Sequence, residues 1–427
     1  MIGIAWGIVA LLTALAVAVA LTDLVPVFRT WQARIHIGRH SNREAWTHLV
    51  QGKAVGWVRR TPTVRLTDQT RLTLLDRLRG NYSRSSIQQW QEGALLLGLG
   101  DLLRLEEEDR TGPYKQIQRE LDRYLERLVG SDGNWRTPPA HVDAAILAYA
   151  LMRLPGRDPD HYRPAYDAVW AMIREHLGDD GTVGYRKSMM KYRYVDTVGF
   201  ICPFLTAYGI RYGKEECVEL ALRQLRAYER HGLHPGLFIP SHAYEVKTKA
   251  PLGLYGWGRG LAWFALGLAD TLRELPARHP ERAALERTVA GYALAVLREQ
   301  QPGGHWSWTV MREEAIPDSS ATAALAWFLT QAASLDAVSR ECLAGAERAL
   351  HHLMKVTRRD GVIDFSQGDT KDIGVYSTRF DILPFTQGFA LRASCAFGQS
   401  GGKGHDRDAS ERTACAAESL ADRRTAV

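Results

Sequence analysis

The chain has 427 residues, 45% hydrophobic and 24% charged, which is more than a minimal domain needs and enough for one large core with appendages. Its net charge of +6 is local: eight basic residues and one acid lie between Arg29 and Arg65, and residues 66–427 are neutral overall. That distribution argues against nucleic acid as a partner and for anionic lipid headgroups near the basic segment. The five cysteines are scattered, with no CxxC and no His/Cys metal spacing, which excludes a disulfide framework and a thiolate metal site.

Ile2–Thr22 carries no charged residue, and about 20 apolar residues suffice to cross a ~30 Å hydrocarbon core as a helix. No Lys or Arg precedes Arg29, unlike a cleaved signal peptide with its basic leader. Residues 1–28 are therefore expected to form a single membrane helix. Positive charge follows it on the C-terminal side only, which places the large domain in the cytoplasm, at an inner membrane. Residues 29–80 are expected to be a basic juxtamembrane linker.

Helical patterns dominate from residue 81 onward, with apolar residues at i, i+3, i+4 and i+7. Helices are predicted at Ser85–Leu105, Tyr114–Val129, His141–Leu154, Pro164–Leu177, Pro203–Tyr212, Lys214–Arg230, Trp257–Leu275, Glu281–Glu299, Ser319–Ala333, Asp336–Met354 and Ile382–Phe397. Between them recurs one loop type: Asp132-Gly-Asn-Trp135, Asp180-Gly-Thr-Val-Gly-Tyr185, Gly303-Gly-His-Trp306 and Asp360-Gly-Val-Ile-Asp-Phe365. A repeat of roughly 50 residues holding two helices indicates an array of helix pairs. The expected fold is all-α, an (α/α)6 barrel over residues 81–398. The tail, residues 399–427, is polar and rich in small residues and is expected to be disordered.

In such a ring the inner helices point one end at a shared cavity, so the residues opening them matter most. Asp143 and Asp196 both stand at the start of apolar helices, within apolar sequence that raises a carboxyl pKa and suits it to acid catalysis. An Asp there is also the ordinary N-cap. His242 lies in Ser241-His-Ala-Tyr-Glu245. Tyr255-Gly-Trp-Gly-Arg-Gly-Leu-Ala-Trp263 combines an Arg fork suited to a carboxylate, Arg259, with two tryptophans, Trp257 and Trp263, suited to a pyranose face. Asp318-Ser-Ser-Ala-Thr322 offers hydroxyls at a helix N-terminus from Ser319, Ser320 and Thr322, or simply a cap.

In this order the motifs resemble the unsaturated glucuronyl and rhamnogalacturonyl hydrolases of glycoside hydrolase families 88 and 105. The resemblance runs over roughly residues 80–400. Trp257-Gly-Arg-Gly-Leu-Ala-Trp263 is similar to that group's Trp-x-Arg-Gly-x-x-Trp, and Ser319-Ser-Ala-Thr-Ala323 to its Thr-Ser-Ala-Thr-Ala. His242-Ala-Tyr-Glu245 is similar to its His-x-x-Asp, with Glu245 where Asp is commoner. The resemblance implies a barrel without metal or cofactor that hydrates the C4=C5 vinyl ether of an unsaturated uronic acid on an oligosaccharide. It makes Asp196 the proton donor to C4, and Asp143 a second essential acid. His242, Trp257, Arg259, Trp263, Ser319, Ser320 and Thr322 would hold the uronyl unit. Two other readings stay open: a uronic-acid epimerase or glycan-binding component of exopolysaccharide assembly at the membrane, and a membrane-anchored helical scaffold of elongated shape.

Overall fold

The computed structural model describes residues 2–62, 64, 68–80, 88–105 and 112–399. The expected disordered tail lies almost wholly outside the described residues, as do the first three residues of the helix expected from Ser85.

Two kinds of apolar helix behave differently, and the difference sets the architecture. The first, α1 (Ile2–Ala33), has no buried residue. The second kind is buried on every side and forms an inner ring. It comprises α4 (Gln88–Leu105), α6 (Ala144–Met152), α8 (Val195–Tyr212), α10 (Gly258–Glu274), α12 (Ser319–Ala332) and α14 (residues 384–399). All nine residues of α6 are buried, as expected of a helix that is apolar all round. The outer partners are α2 (Arg43–Arg59), α5 (Gly112–Leu128), α7 (Arg163–Arg174), α9 (Glu215–Gly232), α11 (Arg282–Arg298) and α13 (Ser339–Lys355). In α9 the buried set Cys217, Val218, Ala221, Leu225 and Tyr228 marks one amphipathic stripe. The six pairs make a closed (α/α)6 ring. An elongated open scaffold is thereby excluded.

Closure depends on α14 meeting α4. The Phe385 N–H donates to the Gln91 side chain at 2.8 Å. Gly98 and Gly388 let the two backbones touch, and a Cβ on Gly388 would overlap the Ala94 carbonyl. The twelfth helix, α2, lies inside the segment expected to be a linker. Asn42 caps it, accepting from the Ala45 N–H at 2.9 Å. Trp46 is fully buried and donates from Nε1 to Thr357 Oγ1 at 2.8 Å. The barrel therefore starts at Arg43 rather than at residue 81. The weak periodicity of α2 hid it: charged Arg43, Lys53 and Arg59 pair with Glu347, Asp360 and Glu120. The same pairing offsets three of the eight basic residues between Arg29 and Arg65. A short helix, α3 (Thr73–Leu78), follows in the same region.

The repeated loops share one geometry. Gly133, Gly181, Gly304 and Gly361 have φ of +78°, +72°, +87° and +84°, the left-handed region that favours glycine. In three of them a residue one to three positions past the outer helix bridges a residue beyond the turn: Val129 with Trp135, Leu177 with Val183, Thr357 with Ile363. Leu233 and Pro240 repeat that bridge in the fourth gap.

Five short strands that the sequence pattern did not announce edge the mouth. β1 (Tyr192–Tyr194), β2 (Ala243–Glu245) and β3 (Pro251–Leu252) form one antiparallel sheet, and β4 (Ser366–Gln367) pairs with β5 (Phe380–Asp381). At two or three residues each they carry too little alternation to be read in advance.

The far end of the ring is closed by charge. Arg392 of α14 binds Asp270 of α10 through both terminal nitrogens, at 3.0 and 3.1 Å. Its Nε donates to Asp101 of α4 at 2.9 Å, and its guanidinium stacks 3.8 Å from the Trp327 ring centroid.

Candidate active site

All six inner helices present their N-terminal ends to the mouth, and this brings distant residues together. α8 begins at Val195, eight residues before the predicted start at Pro203. The helix carries Pro203 in its interior, and Gly199, the residue whose carbonyl the ring would strike, packs directly on Trp263. Asp196 therefore sits in the first helical turn and not in a preceding loop. β1 pairs with β2 in register Tyr194–Ala243, and the Val195 N–H donates to the His242 carbonyl at 3.0 Å. This pairing sets His242 Nε2 3.9 Å from Asp196 Oδ2.

The cavity there has a volume of about 350 Å³. Asp196, His242, Trp257, Arg259 and Trp263 line it, with Trp90, Tyr185, Arg186, Met189, Tyr194, Phe200 and the run Asp369-Thr-Lys-Asp372. Asp143 lies just behind, with Oδ1 3.9 Å from Arg186 Nη1.

Neither Asp143 nor Asp196 is a cap. Asp143 occupies the N-cap position of α6 with helical φ and ψ and makes no capping hydrogen bond. Oδ1 of Asp143 and Oδ2 of Asp196 are buried without a partner. Asp318 is the contrast. It caps α12 by accepting from the Ser320 N–H at 2.9 Å, and it also accepts from the Gln367 N–H at 3.0 Å.

Burial sets the protonation of these acids. It pushes Asp196 up to about 7 against the opposing charge of Arg259. Asp143 rises to about 6, again through burial and against Arg186. Asp369, a third acid in the same space, rises to about 6 for the same reason, with Arg259 opposing. Burial and then Arg259 lower His242 to about 4, so the imidazole is neutral at neutral pH. The Gly374 N–H donates to its Nδ1 at 3.4 Å, which leaves the ring proton on Nε2, facing Asp196.

Several expected contacts are placed otherwise. Arg259 Nη1 donates to the Gln367 carbonyl at 2.6 Å and Nη2 to the Gly368 carbonyl at 2.7 Å. Most of its fork thus braces the end of β4 and Gly368, just before Asp369, instead of standing open to a carboxylate. Ser319, Ser320 and Thr322 are fully buried and do not line the cavity. Ser320 Oγ donates to the Asp318 carboxylate at 2.8 Å, and Thr322 Oγ1 to the Asp318 carbonyl at 2.9 Å. The hydroxyls of Ser320 and Thr322 are used up in fixing the start of α12, while Ser319 Oγ is buried without a hydrogen-bond partner. Trp257 and Trp263 do line the cavity but are each only 1% exposed, so little of either ring is open to a sugar. Glu245 of the His242 segment binds Thr248 at the surface instead.

Two further residues, Arg186 and Asp369, line the cavity beyond those expected from the sequence. Arg186 reaches the cavity from the loop after Tyr185, lies 4.6 Å over that ring, and has a buried Nη1 without a hydrogen-bond partner. Asp369 reaches the same cavity from the segment just after β4. Its signal was present, an Asp-Thr-Lys-Asp run opposite the Arg259 motif, but only the ring brings them together.

Residues 64–397 match the profile of Glycosyl Hydrolase Family 88. A curated relative, the unsaturated rhamnogalacturonyl hydrolase YesR of Bacillus subtilis (strain 168), is 22% identical over 206 residues; the match spans 46% of this chain and 60% of the relative. Among solved structures, a possible family 105 member from Salmonella enterica superposes with a TM-score of 0.68 at 16% identity, over 85% of this chain and 96% of that one. The unsaturated glucuronyl hydrolase of Bacillus sp. GL1 superposes with a TM-score of 0.57 at 18% identity, over 82% and 96%. These structures share the fold.

Proposed function

The chain belongs to glycosyl hydrolase family 88, and we propose that its cavity hydrates the vinyl ether of an unsaturated uronyl residue and so releases that residue from an oligosaccharide. One observation carries the reading: a buried, non-capping carboxyl on α8, Asp196, with an unpartnered oxygen and a pKa raised by burial to about 7, so that it exchanges its proton near neutral pH, beside two further acids. The relative from Bacillus subtilis, by its name, acts on unsaturated rhamnogalacturonyl substrates, which supports the substrate class.

In this mechanism the Asp196 carboxyl protonates C4, and the C4=C5 π pair forms the new C–H bond. The cation left at C5 is shared with the ring oxygen. Water adds at C5, and its proton passes to a carboxylate of the cluster, Asp143, Asp369 or the now ionised Asp196. The hemiketal then opens by breaking the bond from C5 to the ring oxygen. This leaves a hemiacetal at C1, which expels the saturated sugar. No step displaces a group directly at the anomeric carbon, unlike ordinary glycoside hydrolysis. His242 donates from Nε2 as a neutral group. Arg259 acts as a positioning residue for the segment that leads into Asp369.

Arg186 is the cation best placed to receive the uronate carboxylate. Arg186→Met is expected to raise KM for a charged substrate by about 10- to 100-fold, the size of one or two charge-assisted hydrogen bonds. It should alter the binding of a reduced, uncharged analogue little. An equal loss for both would assign Arg186 to structure.

The first test uses the full chain in detergent with unsaturated uronyl disaccharides from several lyases, and follows the loss of vinyl-ether absorbance in the ultraviolet. Loss that requires Asp196 supports the reading. No loss from folded protein on any of them would favour the epimerase or glycan-binding role in polysaccharide assembly.

α1 is long and apolar enough to cross a membrane and is 0% buried over its apolar window. We read it as a single-pass anchor contacting lipid. The basic flank supports a cytoplasmic barrel at an inner membrane, as do the free, buried thiols of Cys202, Cys217 and Cys342.

A further inference from the structure

The short helix α3 is tied to the point where the apolar run of α1 ends. The Asp23 carboxylate accepts hydrogen bonds from the Leu72 N–H at 2.6 Å, the Thr73 N–H at 2.9 Å and the Thr73 hydroxyl at 2.6 Å. Asp23 is the first charged residue after Ile2–Thr22. If α1 spans the hydrocarbon core, Asp23 lies at its boundary, and α3 is held at that same depth.

Apart from Arg77, the exposed residues of α3 and its N-cap are leucines. Thr73 and Asp76 are buried, while Leu72, Leu75 and Leu78 are 54%, 48% and 77% exposed. Spaced by three, these leucines lie along one side of a helical turn. Leu72 adopts φ of +53°, uncommon for a branched side chain, so this turn is held against local preference. Arg71 and Arg79 flank the leucines and are exposed. On α1, Phe28 and Trp31 are 59% and 61% exposed with rings 5.6 Å apart, and Trp31 lines one groove with Thr73 and Arg77 of α3. Aromatic side chains concentrate at this level of a bilayer.

The junction is fixed to the barrel. Arg34 holds Asp364 through two bonds of 2.8 and 2.9 Å and donates to the Phe380 carbonyl at 3.1 Å. The Gly38 N–H donates to the Thr357 carbonyl at 2.9 Å. These contacts leave no free linker between anchor and catalytic ring.

We propose that α3 is a second, shallow membrane contact: Leu72, Leu75 and Leu78 enter the interface of the bilayer that α1 spans, and Arg71 and Arg79 meet anionic headgroups. An amphipathic segment with leucines on one face and arginines beside them suits that boundary. Together α1 and α3 fix the tilt of the barrel on the membrane. The proposal rests on the reading of α1 as a membrane helix.

The test uses the full chain carrying Cys415→Ser, since the four described cysteines are buried. A nitroxide is attached in turn at Leu75→Cys, Leu78→Cys, Leu12→Cys and Leu294→Cys. Leu294, on α11, is an equally exposed leucine at 52%. Each protein is reconstituted into vesicles of phosphatidylcholine and phosphatidylglycerol, and label accessibility is compared for oxygen and a water-soluble nickel chelate. Labels at 75 and 78 are expected to favour oxygen several-fold over the label at 294, and less strongly than the label at 12. If 75 and 78 match 294 while 12 is in lipid, the α3 contact is overturned and the anchor stands. If 12 is also accessible from water, the anchor reading fails and takes the proposal with it.

Discussion

Asp196→Asn is expected to lower kcat by about 10²- to 10⁴-fold, the usual worth of a positioned acid, with KM for the uronide little changed. Asn keeps the shape and loses only the transferable proton. Folding should not suffer, and the pH dependence shows why. The folded-state pKa of Asp196 is raised to about 7 from 3.8. The stability linked to its proton is full below about 3.8 and is lost as pH rises through 7. Above pH 7 the wild type must hold an ionised, unpaired carboxylate, and Asn need not. Thermal unfolding at pH 8 should therefore show a variant at least as stable as wild type. A variant that unfolds markedly earlier would move Asp196 from chemistry to structure. Wild-type kcat should fall above pH 7 as the acid ionises. It should also fall below pH 6, where Asp143 and Asp369 take up protons. A profile flat from pH 5 to 8 would count against this assignment of acid and base.

Arg392→Met should be the most destabilising single change at the closed end of the ring. Arg392 and Asp270 are each 1% exposed, and Asp101 makes the third member. Burial alone would favour the uncharged form of Arg392, yet Asp270 and Asp101 overcome it and hold the guanidinium charged. Removing it leaves two buried carboxylates, and Asp270 has no other ion pair among the described residues. Breaking one side of such a cluster costs about 3–5 kcal/mol, to be read from the urea midpoint. Replacing both partners, in Arg392→Met with Asp270→Leu, should recover much of that loss, because the cost lies in the unpaired charge. Asp101 retains Arg104 at 2.6 Å. If the double variant is no better than the single, the cluster stabilises by packing of Arg392 on Trp327 instead.

The division between what sequence and tertiary structure each determine follows from range. The i, i+3, i+4 spacing is local, so eleven ring helices are legible from it, and the long apolar α1 is legible from its uncharged run. The DG turns are local too, since only glycine takes their backbone conformation without strain, and their recurrence exposed the pairing into a closed ring. The approximate places of Asp143 and Asp196, at the openings of apolar helices, follow from the same pattern. The twelfth helix was hidden because α2 satisfies its charges on acids some 60 to 300 residues away, and a pattern reads such charges as solvent-facing. Hydroxyls at a helix start look alike whether they face a ligand or their own cap, and only the fold showed Ser320 and Thr322 turned to Asp318. Arg259 likewise looked like an open fork until strand β4 was laid across it. Arg186 and Asp369 became visible as site residues only when closure brought loops 180 residues apart to one cavity, because burial among like charges depends on neighbours that no local spacing specifies.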